Sequence, residues 1–284
     1  MLALAAVRGR LLVVSDFDGT LAAISPDPMG ARIEPIARRA LRRLARLAGQ
    51  SPDRLSVVVL SGRTALDVAG RVRVGGVRYL GNHGLEGGDL ARSARADRLP
   101  VAIEPALAGW VEPATALGDA VAANLGHPDW LFVERKGPSV AFHFRQAADP
   151  DAARLAILEA IESAERALGG TGLASLEGRR IVELRPAGAG GKGAAVERLI
   201  DSLRPGGVLV LGDDRSDAEA FETIRRARAR REIDGLAVAV HAAAETPPEV
   251  VASADIELAG PRDAARLLSA VAAALEREAG AQGA

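Results

Sequence analysis

Three short, continuous apolar runs constrain the fold of this chain more than any other feature. They are residues 11–15 (LLVVS), 56–60 (SVVVL) and 208–211 (VLVL). Each has the length of a strand and is apolar at consecutive positions, as expected for a strand buried on both faces. Such strands are typical of parallel sheets that are covered by helices on each side. The sequence therefore predicts an α/β fold built on a parallel sheet.

A different pattern separates the second of these runs from the third. Residues 101–186 suggest a helix, two strands, a second helix and two further strands, and the first two strands are joined by a turn short enough for a hairpin. These elements are predicted at 104–125, 130–135, 139–144, 150–168, 172–176 and 180–184. An order of this kind is typical of a small α+β domain with an antiparallel sheet. We therefore predict a core of residues 1–100 and 187–284 that is split by an inserted domain of residues 101–186.

Charge and composition exclude several classes of protein. The 284 residues include 36 lysines and arginines against 37 aspartates and glutamates, and only 3% are aromatic. We expect no nucleic-acid partner, because the basic surface and the aromatic platforms of such binders are both missing. No secretory signal and no apolar run long enough to cross a bilayer are apparent, so we expect a cytoplasmic protein without a membrane partner. The sequence does not set an oligomeric state, and a monomer is favoured.

The strongest chemical motif directly follows the first apolar run. It reads Asp16-Phe17-Asp18-Gly19-Thr20-Leu21. Ligands of open α/β sheets bind beyond the carboxyl ends of the strands, so Asp16 and Asp18 are expected to face the reactive crevice. A calcium loop would need a third ligand before its glycine, and this segment has none.

Three further motifs follow other predicted strands or loops. They are Ser61-Gly62-Arg63, Lys192 within a glycine-rich run, and the acidic segment 212–217 (GDDRSD). Together with the first motif, they resemble in order the four motifs of the haloacid dehalogenase-like phosphatase superfamily. The resemblance implies a Rossmann-like parallel-sheet core with an inserted α+β cap.

The resemblance also implies a role for each motif. Asp16 would attack phosphorus to form an aspartyl phosphate, and Asp18 would act as the general acid and then as the base. Lys192 would neutralise charge at the reacting group, and Ser61 would bind the phosphoryl oxygens. A Mg²⁺ cofactor is implied, because it prefers hard oxygen ligands. Its implied ligands are Asp16, the backbone carbonyl of Asp18, Asp213, Asp214 and Asp217.

Segments in and near the insert narrow the implied substrate. Residues 79–86, 134–145 and 182–186 resemble those of trehalose-6-phosphate phosphatases. The implied activity is magnesium-dependent hydrolysis of trehalose 6-phosphate to trehalose and phosphate, with a small sugar phosphate as the partner. The implied substrate-binding residues are Thr20, Ser61, Gly62, Arg63, Asn82, His83, Lys136, Ser139, His143, Arg145 and Glu183. The last motif departs from the family at Ser216, which keeps a hydroxyl, and at Ala218, which lacks a carboxylate.

Alternatives remain open at this point. The chain could be another sugar-phosphate phosphatase with the same cap type, acting on a glycosyl-glycerate or sucrose phosphate, or a sugar-phosphate sensor without activity. An intact set of catalytic residues argues against a sensor. Residues 188–193 also match a G-x-G-x-x-G dinucleotide fingerprint. That interpretation leaves the motif at Asp16 unexplained, and too few residues follow it for a full dinucleotide domain.

Overall fold

The structure is a computed structural model that describes residues 9–25, 27, 30–178, 180–241 and 246–282. It divides into two compact units. The first unit combines Met1–Ala102 with Gly191–Ala284, and the second is Ile103–Gly190. The second unit overlaps the stretch that the sequence pattern sets apart at residues 101–186.

The first unit contains a sheet with the predicted parallel core. Its strands are β1 (Leu11–Ser15), β2 (Leu55–Leu60), β3 (Val77–Gly81), β4 (Glu86–Leu90), β5 (Ala102–Ile103), β10 (Gly207–Gly212), β11 (Asp234–Val240) and β12 (Ile256–Leu258). Their order is β12-β11-β10-β1-β2-β3-β4-β5. The pairs from β12 to β3 are parallel, and β4 runs antiparallel to β3. The mixed sheet therefore has β1 in its middle, between β2 and β10.

Helices cover both faces of this sheet. They are α1 (Pro35–Gln50), α2 (Ala65–Val72), α5 (Lys192–Leu203), α6 (Arg215–Ala229), α7 (Pro248–Ser253) and α8 (Pro261–Gln282). Strand β1 explains the continuous apolar run, because its side chains alternate between two cores. Leu11 and Val13 pack with residues of α1, α2 and α8, whereas Leu12 and Val14 pack with residues of α5, α6 and α7. A strand with both faces buried in this way requires apolar residues at every position.

The second unit has an antiparallel sheet with its own core. The strands β6 (Phe132–Arg135), β7 (Val140–His143), β8 (Leu173–Gly178) and β9 (Ile181–Pro186) lie in the order β6-β7-β9-β8. The unit also contains helices α3 (Val111–Asn124) and α4 (Pro150–Leu168). Leu117, Phe142, Ile157 and Val182 are fully buried in its apolar core. The predicted order of helices and hairpins is therefore confirmed within this unit.

One predicted element of the second unit is wrong in its first part. The helix expected at 104–125 is a 3₁₀ segment at Pro105–Trp110, followed by α3 from Val111. Pro113 explains the break, because a proline ring clashes with the carbonyl four residues earlier and donates no hydrogen bond to it. A proline is tolerated only in the first turn of a helix, so α3 begins at Val111.

Among the residues that the structure describes, no helix is both long and apolar enough to cross a membrane.

Candidate active site

The carboxyl ends of three neighbouring strands bring the predicted motifs to one edge of the sheet. Ser15 of β1 is in register with Val59 of β2 and with Leu211 of β10. The residues that follow, Asp16, Ser61 and Asp213, therefore leave the sheet at the same edge. Parallel pairing thus converts motifs up to about 200 positions apart in sequence into one cluster.

The loop after β1 is held close to the loop after β10. Phe17 is fully buried in the apolar core, so it fixes the loop between the two aspartates. Gly19 has a left-handed φ of +77°, and a Cβ atom there would overlap the Asp213 carboxylate. Glycine is required at this position for both its conformation and its size.

Buried carboxylates form the centre of the site. Asp16, Asp213 and Asp217 each offer a ligand oxygen, and these atoms lie within 4.8 Å of one another. The Lys192 ammonium Nζ lies 2.9 Å from Asp16 Oδ1, 2.9 Å from Asp217 Oδ1 and 3.7 Å from Asp214 Oδ1. Three carboxylates therefore share one buried ammonium group, and Asp213 lies beside two of them. We call Asp16, Asp213, Asp214, Asp217 and Lys192 the acidic cluster.

The protonation equilibria of the acidic cluster reflect this excess of acid. Burial raises the pKa of Asp16 well above its ordinary value, although the charge of Lys192 opposes the shift. Burial and then the charge of Asp217 raise the pKa of Asp213 to about 8. Burial opposes the charged form of Lys192, but the charges of Asp16 and Asp217 outweigh it and raise the lysine pKa. Lys192 therefore stays protonated, and it is the one cation among the five residues of the acidic cluster.

The donor set of this cluster fits a hard divalent cation. Asp217 is committed to other contacts, since its Oδ1 faces Lys192 and its Oδ2 accepts the backbone N–H groups of Asp213 and Asp214. Asp214 caps α6 and accepts the backbone N–H of Asp217. Carboxylate oxygens in a region short of positive charge are suitable ligands for such an ion. The acidic cluster is therefore compatible with metal binding, and Asp16 and Asp213 are its candidate ligands.

Thr20 has a supporting position in this arrangement. Its side chain is fully buried, and its hydroxyl donates a 2.8 Å hydrogen bond to Asp213 Oδ1. The sequence predicts that Thr20 binds substrate. In the structure its hydroxyl is directed toward Asp213, a candidate metal ligand.

Asp18 lies in different surroundings from Asp16. Both of its oxygens accept from the Arg63 guanidinium, with Nε to Oδ2 at 2.6 Å and Nη2 to Oδ1 at 2.8 Å. Arg63 is also bound to Asp67 through Nη1 at 3.0 Å. The motif predicts that Arg63 binds the substrate, and it gives no sign of the pair with Asp18, which lies 45 residues earlier. The pair with Asp67 does have a local signal, because the two residues are four positions apart.

The remaining predicted residues of the first unit form the loops beside Asp18. The buried Ser61 Oγ accepts the backbone N–H of Arg63 at 3.1 Å. Asn82 and His83 have left-handed φ values of 49° and 58°, which are uncommon for residues other than glycine. Their backbone N–H groups donate to the carbonyls of Arg63 and Ser61, and the His83 ring lies against Gly62. The Asn82–Gly84 turn therefore fixes the Ser61-Gly62-Arg63 loop.

The second unit has a polar cluster of its own on one face of its sheet. Glu134 and Glu183 are both in register with Ala141, so they lie in one row across three strands. The Lys136 Nζ, with a side chain only 7% exposed, lies 3.6 Å from Glu134 Oε2 and 3.9 Å from Glu183 Oε2. His143 Nε2 is 2.9 Å from the same Glu134 oxygen. We call Glu134, Lys136, His143 and Glu183 the insert cluster.

Glu134 was not among the predicted residues. Burial opposes its charged form, but the hydrogen bond from His143 and the charge of Lys136 lower its pKa. Glu134 lies in β6 and Lys136 directly follows that strand. Their two-residue spacing was the signal that could have identified Glu134, because alternate residues of an extended chain share a face.

Two buried oxygen atoms of the second unit have no hydrogen-bond partner among the described residues. They are Ser139 Oγ and Glu183 Oε1. Buried polar atoms are nearly always paired, so an unpaired oxygen next to charged groups is suited to receive a ligand. Arg145, which the sequence also predicts to bind substrate, is exposed, and its carbonyl accepts from Arg180.

The sheet order, the acidic edge at β1 and β10 and the inserted α+β unit define a haloacid dehalogenase-like fold. Solved structures agree, as the chain aligns with a trehalose-6-phosphate phosphatase from Aspergillus fumigatus over 95% of both chains, with a TM-score of 0.63 and 23% identity. The sequence model of the trehalose-phosphatase family matches residues 14–247. The chain therefore belongs to the trehalose-phosphatase family.

Curated relatives support this assignment. A trehalose-phosphate phosphatase from Mycobacterium avium is 37% identical over 219 residues, which are 75% of this chain and 51% of the relative. An uncharacterised glycosyl hydrolase from Mycobacterium tuberculosis is 36% identical over 224 residues, which are 76% of this chain and 15% of that protein. The chain thus spans about half the length, or less, of these curated relatives.

Proposed function

We propose that this protein hydrolyses trehalose 6-phosphate to trehalose and inorganic phosphate, with Asp16 as the nucleophile. The observation that carries the proposal is the position of Asp16, buried at the end of the central strand and 2.9 Å from Lys192. Asp16 and the substrate phosphate both carry negative charge, so attack at phosphorus requires positive charge close by. Lys192 provides such a charge next to Asp16. Membership of the trehalose-phosphatase family supports both the reaction and the substrate.

The reaction divides into two displacements at phosphorus. In the first, an Asp16 oxygen forms a bond to phosphorus as the bond to the sugar oxygen breaks, and Asp18 delivers a proton to that leaving oxygen. In the second, Asp18 accepts a proton from water, which attacks the aspartyl phosphate and releases phosphate and the Asp16 carboxylate. Covalent catalysis is expected here, because phosphate monoesters are among the slowest compounds to hydrolyse without a catalyst.

A magnesium ion would complete the charge balance of the acidic cluster. Asp16, the Asp18 carbonyl and Asp213 would hold it, and Asp214 and Asp217 would orient the surrounding groups. When bound, the ion supplies positive charge against the phosphoryl oxygens. Lys192 would contribute the same kind of stabilisation from the protein, and the Ser61 hydroxyl would bind a phosphoryl oxygen.

We further propose that residues 101–186 act as a cap that recognises the sugar. The insert cluster supports this role, because its charged groups include Glu183 with its unpaired Oε1. Ser139, which has an unpaired Oγ, accepts a hydrogen bond from the backbone N–H of Lys136 through its carbonyl. Sugar hydroxyls can both donate to carboxylates and accept from the lysine. A buried polar atom left unpaired costs ~1–3 kcal/mol, so a substrate without the matching hydroxyls is disfavoured.

Phosphate release from a panel of sugar phosphates, with magnesium present, tests the proposal. We expect kcat/KM for trehalose 6-phosphate to exceed that for glucose 6-phosphate and sucrose 6-phosphate by roughly tenfold or more, the value of one or two such contacts. Glu183→Gln should remove most of this preference and leave turnover of 4-nitrophenyl phosphate nearly intact. Glu159→Gln, an exposed change in the same unit, is the matched control. Equal rates on all three sugars would contradict the substrate assignment.

A further inference from the structure

Asp18 is held by a chain of alternating charges that extends away from the acidic cluster. Arg63 binds Asp18 on one side and Asp67 on the other, and Arg71 Nε lies 2.9 Å from Asp67 Oδ2. Arg71 also donates through Nη1 to the Ala31 carbonyl at 3.2 Å. We call Arg63, Asp67 and Arg71 the arginine relay.

Within this chain of contacts, Arg63 is the better anchored partner. Its side chain is 16% exposed, against 38% for Asp18. Its guanidinium carbon lies 5.8 Å from the centre of the buried Phe17 ring, and its backbone N–H and carbonyl are bound by Ser61 and Asn82. Asp67 belongs to the first turn of α2, and Arg71 lies one turn further along the same helix. The relay is therefore fixed to a helix, whereas Asp18 lies at the exposed end.

The fork of Arg63 determines where the Asp18 carboxylate lies. Two nearly parallel hydrogen bonds, of 2.6 and 2.8 Å, fix both its position and the plane of the carboxylate. A general acid or base must lie within hydrogen-bond reach of the atom that it serves, so a small displacement lowers the rate. A single hydrogen bond or a point charge would not fix the plane.

We propose that Arg63 is a positioning residue that holds Asp18 for proton transfer, and that Asp67 and Arg71 act through it. This inference rests on the proposed function, and it differs from the sequence-based expectation that Arg63 binds the substrate. Two of the five N–H groups of the guanidinium are occupied by Asp18 and a third by Asp67. The Nε–Nη2 edge of the guanidinium is thus committed to Asp18 and does not offer a two-pronged contact to a phosphate.

Two substrates with different leaving groups distinguish a positioning role of Arg63 from a phosphate-binding role. The sugar oxygen of trehalose 6-phosphate needs a proton as it leaves, whereas 4-nitrophenolate leaves readily as an anion. Single-turnover measurements would follow the transfer of the phosphoryl group to Asp16 from each substrate. We expect Arg63→Gln to slow transfer from trehalose 6-phosphate by roughly tenfold or more, within the ~10²–10⁴ that general acid catalysis contributes. Transfer from 4-nitrophenyl phosphate and the KM of both substrates should change little.

Further variants distinguish a specific effect of Arg63 on the reaction from a general loss of folding. Arg63→Lys retains the charge without the fork, so it should restore only part of the rate. Asp67→Asn should cause a smaller loss in the same direction, and the double variant should match Arg63→Gln alone, because Asp67 acts through Arg63. Arg78→Gln removes a comparable fork to Asp89 on the surface of the same unit and should have no effect.

The possible outcomes distinguish this inference from the proposed function. A rise in KM and an equal loss of rate on both substrates would mean that Arg63 binds the phosphate, and the inference would be wrong. Unchanged kinetics in Arg63→Gln, or additive losses in the double variant, would also contradict it. If the wild-type protein transferred phosphate from neither substrate, the proposed function itself would fail.

Discussion

Asp16 and Asp18 lie two residues apart in sequence, yet their surroundings are opposite. Asp16 is 5% exposed and shares one lysine with two other carboxylates, those of Asp214 and Asp217. Asp18 is 38% exposed and has an arginine fork to itself. The first environment has an excess of negative charge that a divalent cation would neutralise. The second is close to neutral, because acids and arginines alternate along the relay.

This difference corresponds to the two tasks that a phosphatase must perform. A nucleophile needs its target drawn toward it by nearby positive charge, which the proposed metal ion and Lys192 would supply. A proton carrier needs a fixed position and access to the leaving group and to water. Phe17 lies between the two aspartates and is anchored in the core, and Gly19 allows the turn that follows Asp18.

Replacing Asp16 should have the largest effect. We expect Asp16→Asn to lower turnover of trehalose 6-phosphate by at least ~10⁴-fold, because loss of a nucleophile removes the covalent route altogether. Phosphate release measures the loss, and intact mass after substrate addition should reveal no phosphorylated protein. Circular dichroism of the variant serves as the control for folding. Substantial turnover in this variant would contradict the assignment of Asp16.

Replacing Asp18 should have a smaller and more selective effect. Asp18→Asn keeps the nucleophile, so it should still accept the phosphoryl group from 4-nitrophenyl phosphate. Hydrolysis of the aspartyl phosphate should then slow by ~10²–10⁴-fold, because no base activates the water. A burst of nitrophenolate equal to the enzyme concentration, and a protein mass increased by one phosphoryl group, would be observed. The absence of such a burst would contradict the assignment of Asp16 as the nucleophile and Asp18 as the acid and base.

The main features of the fold could be predicted because they depend on local patterns. Continuous apolar runs identified β1, β2 and β10, and the acidic residues that follow β1 and β10 identified the edge that carries the motifs. The strands β3, β4, β5, β11 and β12 were not foreseen. Pro113 divides the helix expected at 104–125, and its position was visible in the sequence but was not used.

The contacts of the site were less predictable, because they depend on residues far apart in sequence. Arg63 was recognised as part of a motif, but its fork to Asp18 arises only when β1 and β2 are paired. The hydrogen bond of Thr20 was equally unpredictable, because its partner Asp213 lies 193 residues later in the sequence. Motifs therefore indicate which residues gather at the site, whereas the fold determines which of them pair.

The acidic cluster should also make stability depend on pH. Without metal, the folded protein keeps Asp213 protonated up to a pKa of about 8, whereas the unfolded chain loses that proton near ~4. The folded state therefore binds more protons between pH 5 and pH 8, and the free energy of unfolding should fall as the pH rises. The decrease for one such carboxyl is at most ~1.4 kcal/mol per pH unit. Urea denaturation in the presence of a chelator measures it.

A variant and a metal-binding measurement test the predicted dependence of stability on pH. Asp213→Asn removes the titrating carboxyl, so its urea midpoint should depend less on pH than that of the wild-type protein. Magnesium should stabilise the wild-type protein more at pH 8 than at pH 5, because its ligands must be deprotonated to bind it. A metal-free protein that became more stable between pH 5 and pH 8 would contradict the excess of acid inferred for this cluster.

Thr20→Val should have the smallest effect, and it tests whether Thr20 supports a metal ligand or binds substrate. Valine keeps the shape but removes the 2.8 Å hydrogen bond to Asp213 Oδ1. We expect magnesium affinity to fall by roughly tenfold, the lower end of the range for groups that orient metal ligands. Thermal stabilisation as a function of magnesium concentration, without substrate, measures this change. With saturating magnesium the KM for trehalose 6-phosphate should then be close to that of the wild type, since a buried hydroxyl directed at Asp213 does not reach the sugar. An unchanged magnesium affinity together with a raised KM would return Thr20 to the substrate-binding role that its motif implies.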